Sequence, residues 1–278
     1  MTDPIPHVVR RGEGLPLLFV HGNGVDHRLL LALDPVFQES AWERIYIDLA
    51  GFGGTPALDG RGGLPELADW LDRALDRLLG DASFAVVGNS MGGLLARDLV
   101  SRRPEQCRGM ALLAPVVDPA RERRTLPAPE VVLSDPELLA SLDAQDADDY
   151  RALSVVQTRD TWERFRAAAL PGIRAADEDA MRRIGEFYEL PSFTDSWGEF
   201  DRPVLIVAGR QDAVVGYEDQ WALSQEFLRS TYAVLDGAGH NVHLDQPGIV
   251  GEMLRAWSET VAPVRSATAG SHLPFAPA

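Results

Sequence analysis

The chain has 278 residues, of which 45% are hydrophobic and 24% charged, and this is ordinary globular composition. Its formal net charge of −16 argues against nucleic-acid binding, because a protein without a basic face gains nothing by displacing phosphate counterions. All 26 basic residues are arginine, and the absence of lysine excludes Schiff-base chemistry, pyridoxal phosphate attachment and a P-loop.

The same composition predicts where the protein works. The longest apolar runs, such as 15–20, are far shorter than a membrane span, and no basic region followed by an apolar core precedes them. We therefore expect a soluble cytoplasmic protein without a membrane partner. The single Cys107 has no partner for an internal disulfide, and no Cys/His cluster has zinc spacing, so no metal is predicted. The oligomeric state is not indicated.

Apolar β runs alternate with amphipathic helices through the first part of the chain. The helix at 64–79 is predicted from apolar positions that recur every three and four residues, and Gly80 ends it. Strands are predicted at 7–10, 15–20, 44–49, 84–89 and 109–117. This alternation predicts an α/β protein with a doubly wound, mostly parallel sheet.

The segment that follows has a different character. Residues 118–198 lack a buried β run and carry many charges, which predicts a helical insertion. Its two apolar stripes are expected to pack mainly inside the insertion, with some aromatics also lining a substrate pocket. The stripes comprise Trp162, Phe165 and Ala169, and Met181, Ile184, Phe187 and Tyr188.

Beyond the insertion, the sheet is predicted to resume. Strands are predicted at 203–208 and 231–235, and helices at 217–228 and 249–261. We therefore assign residues 1–117 and 199–262 to one core domain. The Pro, Ala and Ser bias of residues 263–278 predicts a disordered tail.

A serine stands between two glycines where the strand beginning at Phe84 meets a helix, in the sequence Gly88-Asn89-Ser90-Met91-Gly92. A tight strand-to-helix turn forces the serine into an unfavourable backbone conformation, and glycine on either side lets strand and helix approach. The turn resembles the nucleophile elbow of the α/β-hydrolase family.

A serine hydroxyl needs a base beside it and a carboxylate that orients the base. Ser90, Asp212 and His240 occur in the family's order of serine, acid and histidine. Each lies in a loop after a predicted parallel strand, so the three side chains are expected to meet on one rim of the sheet. The sequence therefore predicts a catalytic triad.

Other residues compete for two of these roles. Some family members take the acid from the position of Asp118, although Pro119 after it favours a turn. Asp212 itself could be a turn residue that binds local backbone. His243 lies close to His240, but we expect it to face the next helix.

The resemblance extends from the loop at His21 to His240, nearly the whole chain, and implies that the insertion is a cap placed before the acid-bearing strand. It also implies an oxyanion hole formed by the backbone N–H groups of Asn23 and Met91, with Gly24 as the alternative to Asn23. His21 and His27 flank the oxyanion loop and are expected to be structural or pocket-lining. Asp48 is expected to hold the neighbouring loop, Gly51-Phe52-Gly53-Gly54, by hydrogen bonds.

The implied activity is hydrolysis of a small-molecule ester, or a lactone or amide, through an acyl-enzyme on Ser90 without a cofactor. Serine at the elbow argues against haloalkane dehalogenases and epoxide hydrolases, which use aspartate there, although Asn23 is similar to the dehalogenase loop. The sequence Gly88-Asn89-Ser90-Met91-Gly92-Gly93 also resembles the elbow of the carbon–carbon hydrolases that cleave ring-fission products. The same residues are also compatible with a perhydrolase or haloperoxidase side activity, and with a ligand-binding receptor that retains the triad.

Overall fold

The computed structural model describes residues 3–190 and 200–261. Its strands in chain order are β1 (Val8–Arg11), β2 (Leu15–Val20), β3 (Trp42–Ile47), β4 (Phe84–Asn89), β5 (Cys107–Leu113), β6 (Leu133–Ser134), β7 (Val156–Gln157), β8 (Val204–Gly209) and β9 (Ser230–Leu235). Seven of them form one sheet in the order β1-β3-β2-β4-β5-β8-β9. Only β1 pairs antiparallel, with β3, so the predicted mostly parallel sheet is confirmed.

Helices cover both faces of this sheet. They are α1 (Arg28–Leu31), α2 (Leu64–Leu79), α3 (Met91–Arg102), α4 (Pro136–Ser141), α5 (Ala144–Leu153), α6 (Arg159–Ala168), α7 (Leu170–Ala175), α8 (Glu178–Glu186), α9 (Glu218–Ser224), α10 (Val242–Asp245) and α11 (Pro247–Val261). The helix α2 has the bounds predicted from its apolar period and ends at Gly80, whose φ of 55° suits glycine.

The core consists of two apolar layers separated by the sheet. Leu18 and Val20 of β2 pack in one layer with α2 and α3. Leu17 and Phe19 of the same strand point to the opposite layer, which α11 covers. Because strand side chains alternate between faces, a strand buried on both sides is a continuous apolar run. This explains why the central strands are recognisable from sequence.

The segment between β5 and β8 holds α4 to α8. It also contains β6 and β7, a two-stranded parallel pair that the sequence does not predict and whose first strand, Leu133–Ser134, is exposed. The pair is two residues long on each side, too short for a periodic signal. Tyr150, Trp162 and Phe165 form an apolar cluster there with Val25 and Leu29 of the core.

The two predicted apolar stripes have different surroundings. The stripe with Trp162 and Phe165 is buried in a cluster that the segment shares with Val25, Leu29 and Leu244 of the core, so it does not pack only within the insertion. Ile184 of the other stripe packs with the main core layer, and the side chain of Phe187 is 41% exposed. The boundary assigned at 198/199 and the tail at 263–278 lie outside the described residues. Within the described ranges, no helix has both the length and the apolar character needed to cross a membrane.

Candidate active site

Ser90 occupies the sharp turn between β4 and α3. Its backbone has φ 54° and ψ −121°, a conformation that non-glycine residues adopt at an energetic cost. The flanking glycines allow the close packing that holds it there. A Cβ at Gly88 would lie 2.6 Å from the carbonyl oxygen of Gly92, and one at Gly92 would lie 2.1 Å from that of Val20. The elbow therefore requires both glycines.

His240 contacts both Ser90 and Asp212. Its Nε2 lies 2.9 Å from Ser90 Oγ, and its Nδ1 lies 3.0 Å from Asp212 Oδ2. A carboxylate only accepts, so Nδ1 carries the proton and Nε2 is free to accept from the serine hydroxyl. The other oxygen of Asp212 accepts from the N–H groups of Val214 and Val215, at 2.8 and 3.1 Å. The structure thus brings the three predicted residues together.

The competing acid, Asp118, has other partners. Its carboxylate accepts two hydrogen bonds of 2.7 Å from the Arg123 guanidinium and one of 2.9 Å from the N–H of Ala120. The hydrogen bonds from Arg123 lower the pKa of Asp118, although desolvation of the carboxylate opposes this. Asp118 is therefore engaged in a local turn, as its neighbour Pro119 suggested.

The competing base, His243, is fully buried. Its Nε2 lies 3.2 Å from the carbonyl oxygen of Leu29 in α1, so this nitrogen carries the proton. Burial lowers the pKa of His243 to about 4, which keeps the ring neutral. The expectation that it faces the next helix is wrong, because α10 turns the side chain inward against α1.

The loops that carry Asp212 and His240 are joined directly. Gln211 donates to Asp236 at 2.8 Å and accepts from the N–H of Ala238 at 3.3 Å. A Cβ at Gly209 would lie 2.2 Å from the carbonyl oxygen of Gly239, so a larger residue would separate the loops. These contacts join the loop of the predicted acid to the loop of the predicted base.

The loop after β2 lies against the elbow. A Cβ at Gly22 would lie 3.0 Å from Ser90 Cβ. Asn23 follows on the exposed side, and Met91 is the first residue of α3, whose N–H has no acceptor within its own helix. Gly24, the alternative donor, has φ 73°. The predicted oxyanion donors therefore lie in the two segments that meet at Ser90.

Asp48 binds the neighbouring loop, as the sequence suggested. Its buried carboxylate accepts four hydrogen bonds, from the ring and backbone nitrogens of His27, the ring of His7 and the N–H of Gly54. Burial opposes ionisation, but the hydrogen bonds from His27 and Gly54 outweigh it and lower the pKa of Asp48. Three atoms that could ligate a metal ion, one each from His7, His27 and Asp48, lie within 4.8 Å of one another. The four hydrogen bonds account for this grouping without an ion.

Asn89, part of the elbow sequence that resembles the carbon–carbon hydrolases, has a structural contact. It is buried, and its Nδ2 donates to the carbonyl oxygen of Leu113 at 2.9 Å. Its side chain thus joins the end of β4 to the end of β5. This contact explains an asparagine at position 89 without reference to a substrate.

The segment between β5 and β8 is hydrogen-bonded to the rest of the chain at two points near the site. The N–H of Asp177 donates to the carbonyl oxygen of Gly51 at 3.1 Å, and Arg164 donates to that of Leu244 at 2.7 Å. A cavity of about 170 Å³ beside His240 is lined from both sides. Its walls include Gln211, Ala213 and Val214 of the acid loop and Val131, Arg151, Leu153 and Val155 of the inserted segment.

Asp245 supports the histidine loop, and the sequence carried no signal for it. Its Oδ2 accepts from the N–H of Gly239 at 2.8 Å, one residue before His240. Burial raises the pKa of the Asp245 carboxyl to about 6, opposed in part by that hydrogen bond and by Arg164. The nearby Asp212 carboxylate adds to the increase.

This raised pKa gives a pH-dependent stability. The pKa of Asp245 in the folded protein exceeds the ordinary value, so the protonated carboxyl favours the folded state. This stabilisation is fully present below about pH 4 and is lost as the pH rises through 6. The Asn side chain of Asp245→Asn cannot ionise. We therefore expect the free energy of unfolding of this variant, relative to that of the wild type, to increase by on the order of 2 kcal/mol when the pH is raised from 4.5 to 8. Urea unfolding at both pH values measures this difference.

The matched control is Asp148→Asn, because the Asp148 side chain is 73% exposed. Its effect on the free energy of unfolding is expected to be the same at the two pH values. An Asp245→Asn effect that is also independent of pH would contradict the burial of this carboxyl.

Comparison with known proteins agrees with this fold. The model of a family described as alpha/beta hydrolase fold matches residues 16–247. The solved structure of an alpha/beta superfamily hydrolase from Oenococcus oeni PSU-1 has a TM-score of 0.85 at 22% identity, covering 92% of this chain and 96% of that one. The chain belongs to the α/β hydrolase fold family, and the predictions of this fold and of a hydrolase are confirmed.

Two curated relatives align over most of their length. The (E)-2-((N-methylformamido)methylene)succinate hydrolase of Acinetobacter baylyi is 26% identical over 258 residues, which is 91% of this chain and 94% of that protein. A pimeloyl-acyl-carrier-protein methyl ester esterase of Aromatoleum aromaticum is 29% identical over 246 residues, or 83% of this chain and 93% of that protein.

Proposed function

We propose that this protein is a serine hydrolase that cleaves a small-molecule carboxylic ester, or a related lactone or amide, through an acyl-enzyme on Ser90. One observation carries the proposal: the His240 ring lies between Ser90 Oγ at 2.9 Å and the buried Asp212 carboxylate at 3.0 Å. This is the hydrogen-bonded chain that activates a serine nucleophile.

In the proposed reaction, the hydroxyl of Ser90 attacks the substrate carbonyl carbon while Nε2 of His240 takes its proton. The tetrahedral intermediate then collapses, and the imidazolium returns that proton to the leaving alcohol. Water, deprotonated by the same nitrogen, attacks the acyl-enzyme and releases the acid and the free serine. Asp212 holds the ring in the required tautomer and stabilises its positive charge.

We assign the stabilisation of the negative charge on the substrate oxygen to the N–H groups of Asn23 and Met91. Gly22 lies against Ser90, and Met91 begins α3, so both donors belong to segments in contact with the nucleophile. In proteins with such a hole, each donor contributes roughly 3 kcal/mol to the transition state. No cofactor takes part in these steps.

Residues 118–198 are proposed to form the cap. The hydrogen bonds of Asp177 with Gly51 and of Arg164 with Leu244 join this segment to the loop after β3 and to α10, and they support this proposal. Its part in the walls of the cavity beside His240 supports a role in binding a small substrate. The methyl ester esterase relative favours an ester. The cytoplasmic location remains a prediction.

A fluorophosphonate probe tests the nucleophile, because it forms a covalent bond only with an activated serine. We expect the probe to label the wild type at Ser90 and to leave Ser90→Ala unlabelled, as read by peptide mass spectrometry. Hydrolysis of p-nitrophenyl esters of increasing chain length, of lactones and of an amide then identifies the bond type. A folded wild-type protein that resists the probe would contradict the serine mechanism, and labelling without turnover of any substrate would favour a ligand-binding receptor.

A further inference from the structure

His21 makes two hydrogen bonds that determine which of its nitrogens carries a proton. The backbone N–H of Leu49 lies 3.0 Å from Nε2, and a backbone N–H can only donate. Nε2 is therefore unprotonated, and the proton is on Nδ1. This nitrogen lies 2.7 Å from the carbonyl oxygen of Gly22 and donates to it.

The surroundings keep this ring neutral. His21 is fully buried, and the Phe52 ring packs edge-on against it at 5.4 Å between ring centroids. Burial lowers the pKa of His21, although the Gly22 carbonyl and the carboxylates of Asp48 and Asp26 favour the charged form. The ring of His27 opposes that charge. A second proton on the ring, at Nε2, would also break the hydrogen bond that the N–H of Leu49 donates to this nitrogen.

The hydrogen bond to Gly22 orients a whole peptide unit. No cis peptide occurs in residues 3–190 and 200–261, and in a trans peptide the C=O and the following N–H point in opposite directions. A carbonyl held by His21 therefore directs the N–H of Asn23 away from that ring. Glycine at position 22 leaves the backbone unusually free to rotate, so the peptide needs such a tether.

We propose that His21 is a positioning residue that holds the Gly22–Asn23 peptide with its N–H toward the oxyanion of the reaction. This inference rests on the proposed function and extends it from the donors to the group that orients one of them. The loop after β3 thereby sets the geometry of the oxyanion hole through Leu49, the imidazole of His21 and the peptide after Gly22. No proton or charge moves along this chain of hydrogen bonds.

The test compares His21→Asn with His21→Leu. The Asn amide can place an N–H near the position of Nδ1 and donate to the Gly22 carbonyl, whereas Leu fills similar space without a donor. Measurements are kcat and KM with an activated ester, inhibition by a boronic acid that forms a tetrahedral adduct on Ser90, and the melting temperature. The control is His7→Leu, because His7 contacts Asp48 and not the Gly22 peptide.

We expect His21→Leu to lower kcat by about 30- to 100-fold, somewhat less than loss of a whole oxyanion donor, with KM within about threefold of the wild type. The boronic acid Ki should rise by a similar factor, and His21→Asn should restore at least about a fifth of wild-type kcat. His7→Leu should keep kcat within about twofold of the wild type, because the His7 side chain does not contact the Gly22–Asn23 peptide.

A folded His21→Leu with wild-type kcat and boronic acid affinity would overturn the inference, as would a loss that Asn does not restore. If His21→Leu does not fold, the ¹⁵N NMR shifts of the wild-type ring provide the second measurement. We expect a protonated Nδ1 and an unprotonated Nε2 at pH 8, and the reverse tautomer would overturn the inference. Failure of the proposed function is distinct, because the fluorophosphonate would then not label wild-type Ser90.

Discussion

Replacing Asp212 by asparagine is expected to lower kcat by about 10⁴-fold, the size of effect seen for the acid of a serine protease triad. The carboxylate accepts from Nδ1 of His240, whereas an asparagine amide can donate there and stabilise the wrong tautomer of the ring. The serine would then face a nitrogen that cannot take its proton. Steady-state hydrolysis of an activated ester measures the loss, and the melting temperature separates it from unfolding.

Asp118→Asn is the matched control, because it makes the same chemical change at the other candidate acid. The Asp118 carboxylate is bound to Arg123 and the N–H of Ala120, so we expect kcat to stay within about threefold of the wild type. If Asp118→Asn is the crippling change and Asp212→Asn is mild, the assignment of Asp212 as the triad acid is wrong.

Gly92→Ala is expected to cost at least about 3 kcal/mol in free energy of unfolding and to reduce the labelling of Ser90 by the fluorophosphonate. The added Cβ would lie 2.1 Å from the carbonyl oxygen of Val20 and 2.4 Å from that of His21. Both contacts are with backbone at the end of a buried strand, which moves only if the sheet or α3 shifts. Such a shift would displace Ser90, which lies two residues before Gly92.

Gly185→Ala provides the control, since it makes the same change within another helix, α8. A Cβ there meets nothing within 4 Å, and its backbone is not in the left-handed region. We expect this substitution to stabilise the protein by about 0.5 to 1 kcal/mol, because alanine loses less backbone entropy than glycine in a helix. Urea unfolding of both variants measures the contrast, and equal effects at the two glycines would contradict the packing at the elbow.

Local patterns predicted the core elements well where they were regular. Residues 15–20 and 64–79 have the same bounds in the structure as in the prediction, because a doubly buried strand and an amphipathic helix each leave a strong periodic signal. The strand predicted at 109–117 instead ends at Leu113. Ala114 follows with φ 44°, and an apolar run gives no sign that the backbone turns within it.

The site shows the same division. The sequence by itself determined the residue types of the site: a serine between close-packed glycines, and an acid and a histidine in loops after later strands. These features depend on local backbone demands and on chain order, which sequence records directly. Only the tertiary structure decided which carboxylate faces His240, and which nitrogen of His21 faces the Gly22 carbonyl. Such facts depend on hydrogen bonds between residues far apart in the chain, as between Ser90 and His240, which are 150 positions apart. No local pattern encodes the direction of those bonds.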